Sequence, residues 1–95
     1  MADISLSRRH ALGLEGARRA ADGVAQRLSS EYGVRSAWDG DVLAVRGRGV
    51  TGELRVSERD VFVSARLGAF ARAFRGALTR EIEQELDRTI GTDTP

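Results

Sequence analysis

The sequence predicts an α+β fold in which a single antiparallel sheet carries two helices on one face, in the order β-α-β-β-β-β-α. Four segments with period-two alternation follow one another between positions 34 and 67, separated by short turns. A longer segment with helical periodicity precedes them and another follows. Helices gathered on one face of an antiparallel sheet bury all of these apolar stripes. Ninety-five residues form one domain, 1–95, with a folded core at 3–90 and a frayed tail at 91–95.

The N-terminal part predicts a strand and an alanine-rich helix. Ile4 and Leu6 alternate with polar residues, which predicts a short strand that ends at Ser7 and whose partner the sequence leaves open. A helix from about Leu12 to Tyr32 follows, and Gly33 stands where a left-handed cap is favoured. Its apolar stripe keeps one direction and is formed by Leu14, Ala17, Ala21, Val24, Ala25, Leu28 and Tyr32.

The four central strands predict a meander with one buried face. Asp39-Gly40 is a strong two-residue hairpin signal, and Gly47-Arg48-Gly49 predicts the second turn. Ser57 to Asp60 predicts the third. The inward-facing residues are predicted to be Val34, Ser36, Trp38, Leu43, Val45, Val50, Gly52, Leu54, Val56, Val61, Val63, Ala65 and Leu67.

The segment from Leu67 to Ile90 has the longest helical pattern in the chain. Its apolar residues recur every four positions from Phe70 onward. Each step of four overshoots a full turn by about 40°, so the stripe rotates by about half a turn before it ends. A helix of about 30 Å would also overhang a six-residue strand of about 20 Å. We expect its last turns to need a second surface, and the candidate interface consists of Leu78, Ile82, Leu86 and Ile90.

The charges of this segment point the same way. Its early part is basic, with Arg72, Arg75 and Arg80, and its late part is acidic, with Glu81, Glu83, Glu85 and Asp87. The helix dipole prefers the reverse arrangement. An antiparallel partner helix would set each basic half against an acidic half, and a two-fold dimer does this by symmetry. The sequence therefore suggests a homodimer paired through the C-terminal helix, against the alternative that both charge blocks are simply solvated.

Composition excludes several classes of function. The net charge is +1, which gives no bulk attraction to nucleic acid or anionic lipid. All 15 basic residues are arginine, a bias that the composition of the source genome explains more simply than a binding role. The absence of cysteine removes disulfides, thiolate nucleophiles and cysteine metal sites. With no apolar run of about 18 residues and no signal-peptide core, the sequence predicts a cytoplasmic protein without a transmembrane segment.

Catalytic and metal chemistry are poorly supplied, so we expect no enzyme, no cofactor and no metal. A serine nucleophile would need His10, the only histidine, as its base, and a hydrogen-bonding role at the start of the first helix suits this residue better. Asp39 and Asp41 could contact a hard cation, but further ligands are missing and the Asp-Gly turn already explains the first of them.

The outer face of the sheet is predicted to carry one arginine on each of four strands and one aromatic residue. These are Arg35, Arg46, Arg55, Arg66 and Phe62. A basic sheet face with aromatic rings can stack single-stranded bases or hold an acidic partner. With one ring, and with Glu53 interrupting the basic row, a solvated face is favoured and nucleic acid is disfavoured.

Two further apolar features admit a binding role. Trp38 is predicted to point inward, where it packs in the core or lines a small pocket for an apolar ligand. The stripe from Leu78 to Ile90 could attach to lipid or polymer, although its acidic polar side favours a protein partner over an anionic membrane.

Three blocks of residues resemble one small family. They are His10, Leu12-Gly13-Leu14 and Ala17-Arg18; then Tyr32-Gly33-Val34 and Trp38-Asp39-Gly40-Asp41; then Leu67-Gly68 with Ile82, Leu86 and Asp87. In these positions the chain is similar to the polyhydroxyalkanoic acid system proteins, also called granule-region proteins, over roughly residues 2 to 90. The resemblance implies a bacterial protein linked to polyhydroxyalkanoate synthesis and storage, with granule proteins or the granule surface as partners. It implies no catalytic residue, and we expect structural roles for His10, Arg18 and Trp38.

Overall fold

The computed structural model describes residues 2–90, and the predicted tail at 91–95 lies outside the described residues. The element order is the predicted one. The elements are β1 (Ile4–Arg9), α1 (Gly13–Tyr32), β2 (Arg35–Asp39), β3 (Val42–Gly47), β4 (Val50–Val56), β5 (Asp60–Leu67), a 3-10 turn (Ala71–Phe74) and α2 (Arg75–Ile90).

The five strands form one antiparallel sheet in the order β1-β5-β4-β3-β2. The partner of the first strand, open in the sequence, is β5. β1 is longer than expected because it continues through Arg8 and Arg9, which lie opposite Val61 and Asp60. The N–H of His10 then donates to the carbonyl of Arg59 at 2.9 Å, so the pairing extends up to the connection with α1.

The core lies between the sheet and the two helices, as the alternation predicts. The alanine stripe of α1 is buried, and it packs on the sheet and on α2. Gly33 ends α1 with φ 70°, and its N–H donates to the carbonyl of Ser29 at 2.9 Å, as expected for a left-handed cap. Val34, which directly precedes β2, is buried, and the buried residues on the sheet include Ile4, Leu43, Val45, Val50, Leu54, Val56, Val61, Val63, Ala65 and Leu67.

The C-terminal helix ends at Ile90, as predicted, but its predicted start is wrong. It begins at Arg75 rather than near Leu67, because Gly68 and a 3-10 turn precede it. With 16 residues it is about 24 Å long, which the eight-residue β5 can match. Overhang at the end of the sheet is therefore not a reason to seek a second surface.

The proposed interface is buried within the subunit. Leu78, Ile82 and Leu86 are covered by the sheet and by α1, and Ile90 is half-buried against the same core. Between Leu78 and Leu86 the stripe turns by only about 80°. Because α2 contacts both α1 and β1, two surfaces of the same chain cover that arc. The expectation that these residues form an exposed seam is wrong.

Candidate functional site

Trp38 is held against α1 by polar side chains. Its Nε1 donates to Asp22 Oδ1 at 2.8 Å, and the guanidinium of Arg18 lies 4.0 Å from the centre of the ring. Arg18 also donates to the carbonyl of Gly40 at 2.8 Å and pairs with Asp41 at 3.3 Å. These contacts join α1 to the β2–β3 turn and leave Trp38 half-buried. They explain Trp38, Arg18 and Asp41 as structural residues, and they lend no support to a ligand pocket beside Trp38.

His10 also has a structural position. Its Nδ1 accepts a hydrogen bond from the N–H of Leu12 at 3.2 Å, and its Nε2 lies 3.0 Å from the carbonyl of Ser57. Because Nδ1 is the acceptor in the first contact, Nε2 is assigned as the donor to the Ser57 carbonyl. Residues 2–90 contain no group of three or more histidine, aspartate or glutamate side chains that could hold a metal ion.

The outer face of the sheet carries the predicted arginines, all exposed. Arg35 lies opposite Arg46, and the same row crosses Thr51 to reach Arg66. Arg55 and the aromatic residue Phe62 lie opposite each other in another row of the same face. Their positions are as predicted, but Trp38 lies on the other face and does not join them.

A shallow groove of about 290 Å³ crosses this face between Arg46 and Arg66, with Gly52 and Ser64 among its lining residues. Arg55 pairs with Glu53 at 3.6 Å, which partly offsets the charge. One aromatic ring gives a nucleic-acid base a single stacking surface. Binding of an acidic or nucleic-acid partner here stays a prediction.

The acidic part of α2 is neutralised by the same chain. Arg27 on α1 donates to both oxygens of Glu81, at 2.8 and 3.1 Å, and to Glu85 at 3.3 Å. Glu85 is only 4% exposed and also accepts from Arg88 at 3.0 Å. Gly23 provides the space, because a Cβ there would come within 3.0 Å of Glu85 Oε2.

The other two acids pair with β1. Arg8 lies 3.3 Å from Glu83 and 3.6 Å from Asp87. The charge argument for an antiparallel partner helix therefore loses its basis, because arginines on α1, β1 and α2 itself already satisfy these carboxylates.

These contacts shift the pKa values of the acids. Burial raises the pKa of the Glu85 carboxyl, but hydrogen bonds from Arg88 and Arg27 outweigh it and leave this pKa below its ordinary value. A hydrogen bond shared with Glu31, together with those from Arg27, lowers the pKa of Glu81. The same shared bond raises the pKa of Glu31.

An exposed pair of phenylalanines is the feature that the helical interpretation missed. Phe70 is 79% exposed and Phe74 is 45% exposed, and their rings meet edge to face with centroids 5.7 Å apart. Both belong to the segment that enters α2. Ala71 turns inward instead, and its Cβ lies 3.5 Å from where a Cβ on Gly49 would stand.

A signal for this orientation was present in the spacing. Ala71, Leu78 and Glu85 are seven residues apart, which is close to two helical turns, and all three are buried. Counting back from Leu78 in sevens leads to Ala71 and not to either phenylalanine. The four-residue spacing therefore joined residues that face inward to residues that face solvent.

A groove of about 500 Å³ lies beside the two rings. Its apolar lining residues are Tyr32, Val50, Phe70, Ala71, Phe74 and Leu78. Its remaining lining residues are Ser29, Ser30, Glu31, Gly33 and Arg48. Burial raises the pKa of the Tyr32 hydroxyl, which keeps it neutral. The arrangement combines aromatic surface with one cationic side chain, that of Arg48.

Arg48 occupies the central position of the β3–β4 turn in an unusual conformation. Its φ is 54°, between Gly47 at 143° and Gly49 at 81°. A left-handed backbone costs an L-residue about 1–2 kcal/mol, which glycine avoids. The side chain lies over Gly33, where a Cβ would come within 3.4 Å of Nε.

No helix in the described part of the chain is both long and apolar enough to cross a membrane. A comparison with curated proteins finds no match, and a comparison with solved structures finds none either. The sequence model of one family, described as "putative polyhydroxyalkanoic acid system protein", matches residues 4–90. This match covers β1 through the end of α2, which is the whole described fold. The chain belongs to the polyhydroxyalkanoic acid system protein family.

Proposed function

We propose that this chain is a non-enzymatic accessory protein of the polyhydroxyalkanoate system, which acts in the cytoplasm by contact with the storage granule. Membership of the polyhydroxyalkanoic acid system protein family supports the link to this storage polymer. The exposed pair of Phe70 and Phe74 carries the proposal of contact. We call these two rings the aromatic pair. They take the place of the α2 stripe, in which Leu78, Ile82 and Leu86 are buried and cannot meet a polymer surface.

The physical argument is the cost of leaving the aromatic pair in water. Burying a phenylalanine side chain contributes about 1.5–3 kcal/mol, and exposed aromatic residues that stand together mark interaction sites. The rings are also preorganised, because they already touch and because Ala71 anchors the segment between them. Little side-chain freedom is then lost on binding. The partner that we assign to these rings is the apolar surface of the granule.

A second copy of the chain is the competing partner for the same rings. Two aromatic pairs could pack against each other across a two-fold axis, and a dimer of that kind would hide the surface that we assign to the granule. Light scattering of the purified protein at micromolar concentration separates the two cases. Pairing that disappears when both rings are replaced would favour the dimer over the granule as the partner.

Co-sedimentation with purified polyhydroxyalkanoate granules tests the proposal. The wild-type chain should be recovered with the granules, and the double variant Phe70→Ser/Phe74→Ser should stay in the supernatant. Phe62→Ser is the matched control, because Phe62 is 47% exposed on the opposite face of the sheet and should sediment like wild type. Full recovery of wild type in the supernatant would refute direct contact, and sedimentation of the double variant would refute the assigned surface.

A further inference from the structure

The groove beside the aromatic pair has the size and lining of a small-molecule site. Its volume of about 500 Å³ falls within the roughly 300–1,000 Å³ of ligand pockets. Tyr32, Phe74 and Leu78 give it apolar lining. Val50 and Leu78 separate it from the interior. There, the cavity left between the sheet and the helices is only about 20 Å³. A ligand would therefore lie along the groove rather than enter the core.

Arg48 is the cationic group among the lining residues of this groove, and two observations single it out. Within residues 2–90 it forms no hydrogen bond or ion pair, although it lines the groove. It also holds a left-handed backbone between two glycines, a place where glycine itself would fit at lower cost. Backbone strain kept by a non-glycine residue points to a role for its side chain. A guanidinium is matched in shape and charge to a carboxylate, which it binds through two parallel hydrogen bonds.

We infer that the groove binds a single-chain amphipathic carboxylate, with its hydrocarbon along Phe74, Tyr32 and Leu78 and its carboxylate on Arg48. The inference rests on the proposed function only in that both use the aromatic pair. It adds a ligand class that granule contact does not require.

The acidic side chain of the groove favours a ligand with one negative charge. Glu31 is among the lining residues, together with Arg48. Its negative charge would oppose a doubly charged phosphate more than a singly charged carboxylate. A neutral alcohol of the same chain length would gain the apolar contacts and lose the pairing with Arg48.

The test is a calorimetric titration of the full-length protein with octanoate, which remains monomeric at millimolar concentration. Octanoate should bind, 1-octanol should bind about tenfold more weakly, and acetate should not bind measurably. Arg48→Gly should weaken octanoate binding by about tenfold while it keeps the fold. Arg46→Gln is the matched control, because it removes the same charge from the outer sheet face and should bind octanoate like wild type.

Failure of this inference and failure of the proposed function give different results. If wild type does not bind octanoate, or if Arg48→Gly binds it as tightly as wild type does, the carboxylate site is overturned. Granule co-sedimentation that still depends on Phe70 and Phe74 would then leave the proposed function standing. Octanoate binding that shifts the amide resonances of Gly33 and Arg48, without any recovery on granules, would support the site and overturn granule contact.

Discussion

The guanidinium of Arg18 lies over the indole ring of Trp38, 4.0 Å from its centre. One residue comes from the second turn of α1 and the other from β2, so the contact fastens the first helix to the first hairpin. Arg18 then continues to the turn, where it donates to the carbonyl of Gly40. Cation, ring and turn thus form a single connection between α1 and the first hairpin, through two residues, Arg18 and Trp38, that are 20 positions apart in the chain.

Replacing Arg18 with alanine should loosen this connection. The loss of the stacking contact and of the hydrogen bond to Gly40 should lower the free energy of unfolding by about 1–2 kcal/mol. Trp38 should become more exposed, so its fluorescence emission should shift to the red. Arg19→Ala removes an exposed arginine from the next position of α1 and should change neither quantity. An unaltered emission spectrum in Arg18→Ala would contradict the stacked geometry.

Replacing Leu86 with alanine should act on the stability of the subunit. Leu86 is fully buried, so the variant should lose about 3 kcal/mol in chemical denaturation through lost transfer energy and a cavity. Leu12→Ala, at a leucine that is 43% exposed, should lose less than about 0.5 kcal/mol. The molar mass from light scattering should be the same for both variants and wild type. A lower mass for Leu86→Ala alone would revive the C-terminal helix as a dimer interface.

Replacing Arg48 with glycine should raise stability slightly. Relief of the left-handed backbone is larger than the added freedom of glycine in the unfolded chain, so we expect a gain of about 0.5 kcal/mol. The control is Arg46→Gly, which places glycine inside β3 and should cost about 0.5–1 kcal/mol. Thermal and chemical unfolding check both values. A clear loss of stability in Arg48→Gly would mean that the side chain holds the turn together.

The carboxylates of α2 should make the fold sensitive to acid. The pKa values of Glu81 and Glu85 are lowered in the folded state, so between the folded and unfolded values the unfolded chain binds more protons. Their contribution is complete above the unfolded value, about 4.3, and is lost as the pH falls through the folded values. The raised pKa of Glu31 has the opposite effect on the pH dependence of stability, but it concerns one group against two.

The melting temperature of wild type should therefore rise from pH 3 to about pH 5 and then level off. Arg27→Gln removes the partner shared by Glu81 and Glu85, and its melting temperature should vary less over this range. Arg80→Gln, an exposed arginine on the same helix, should keep the wild-type dependence. A wild-type melting temperature that is constant between pH 3 and pH 5 would rule out the lowered pKa values.

Several elements were predictable because they depend on neighbours along the chain. The alternation from Val34 to Leu67 fixed the inner face of four strands, and the Asp39-Gly40 dipeptide marked the first hairpin. The position of the outer arginines followed from the same period of two. The partner of β1 did not, because β5 lies more than 50 residues away and no local rule chooses between the available edges.

The candidate site was hidden for a related reason. Phe70 and Phe74 fit the four-residue spacing of a helix, and only the 3-10 turn and the anchoring of Ala71 against the β3–β4 turn set them outward. The role of Arg48 as the groove's cation could not be read from a glycine-flanked turn in the sequence. Its neighbours there, Tyr32 and Phe74, come from distant parts of the chain.

The sequence by itself determined the α+β class, the order of the elements and the buried face of each strand, because backbone periodicity and turn residues act over a few positions. The tertiary structure alone decided which apolar end of the C-terminal segment is covered and which carboxylates are paired. Those outcomes depend on how α2 packs against α1 and β1, which place Arg27 and Arg8 within ion-pair distance of its carboxylates. Burial and ion pairing arise from contacts between residues that are distant in the chain. The sequence pattern shows which side chains are able to make such contacts, but not which of them meet.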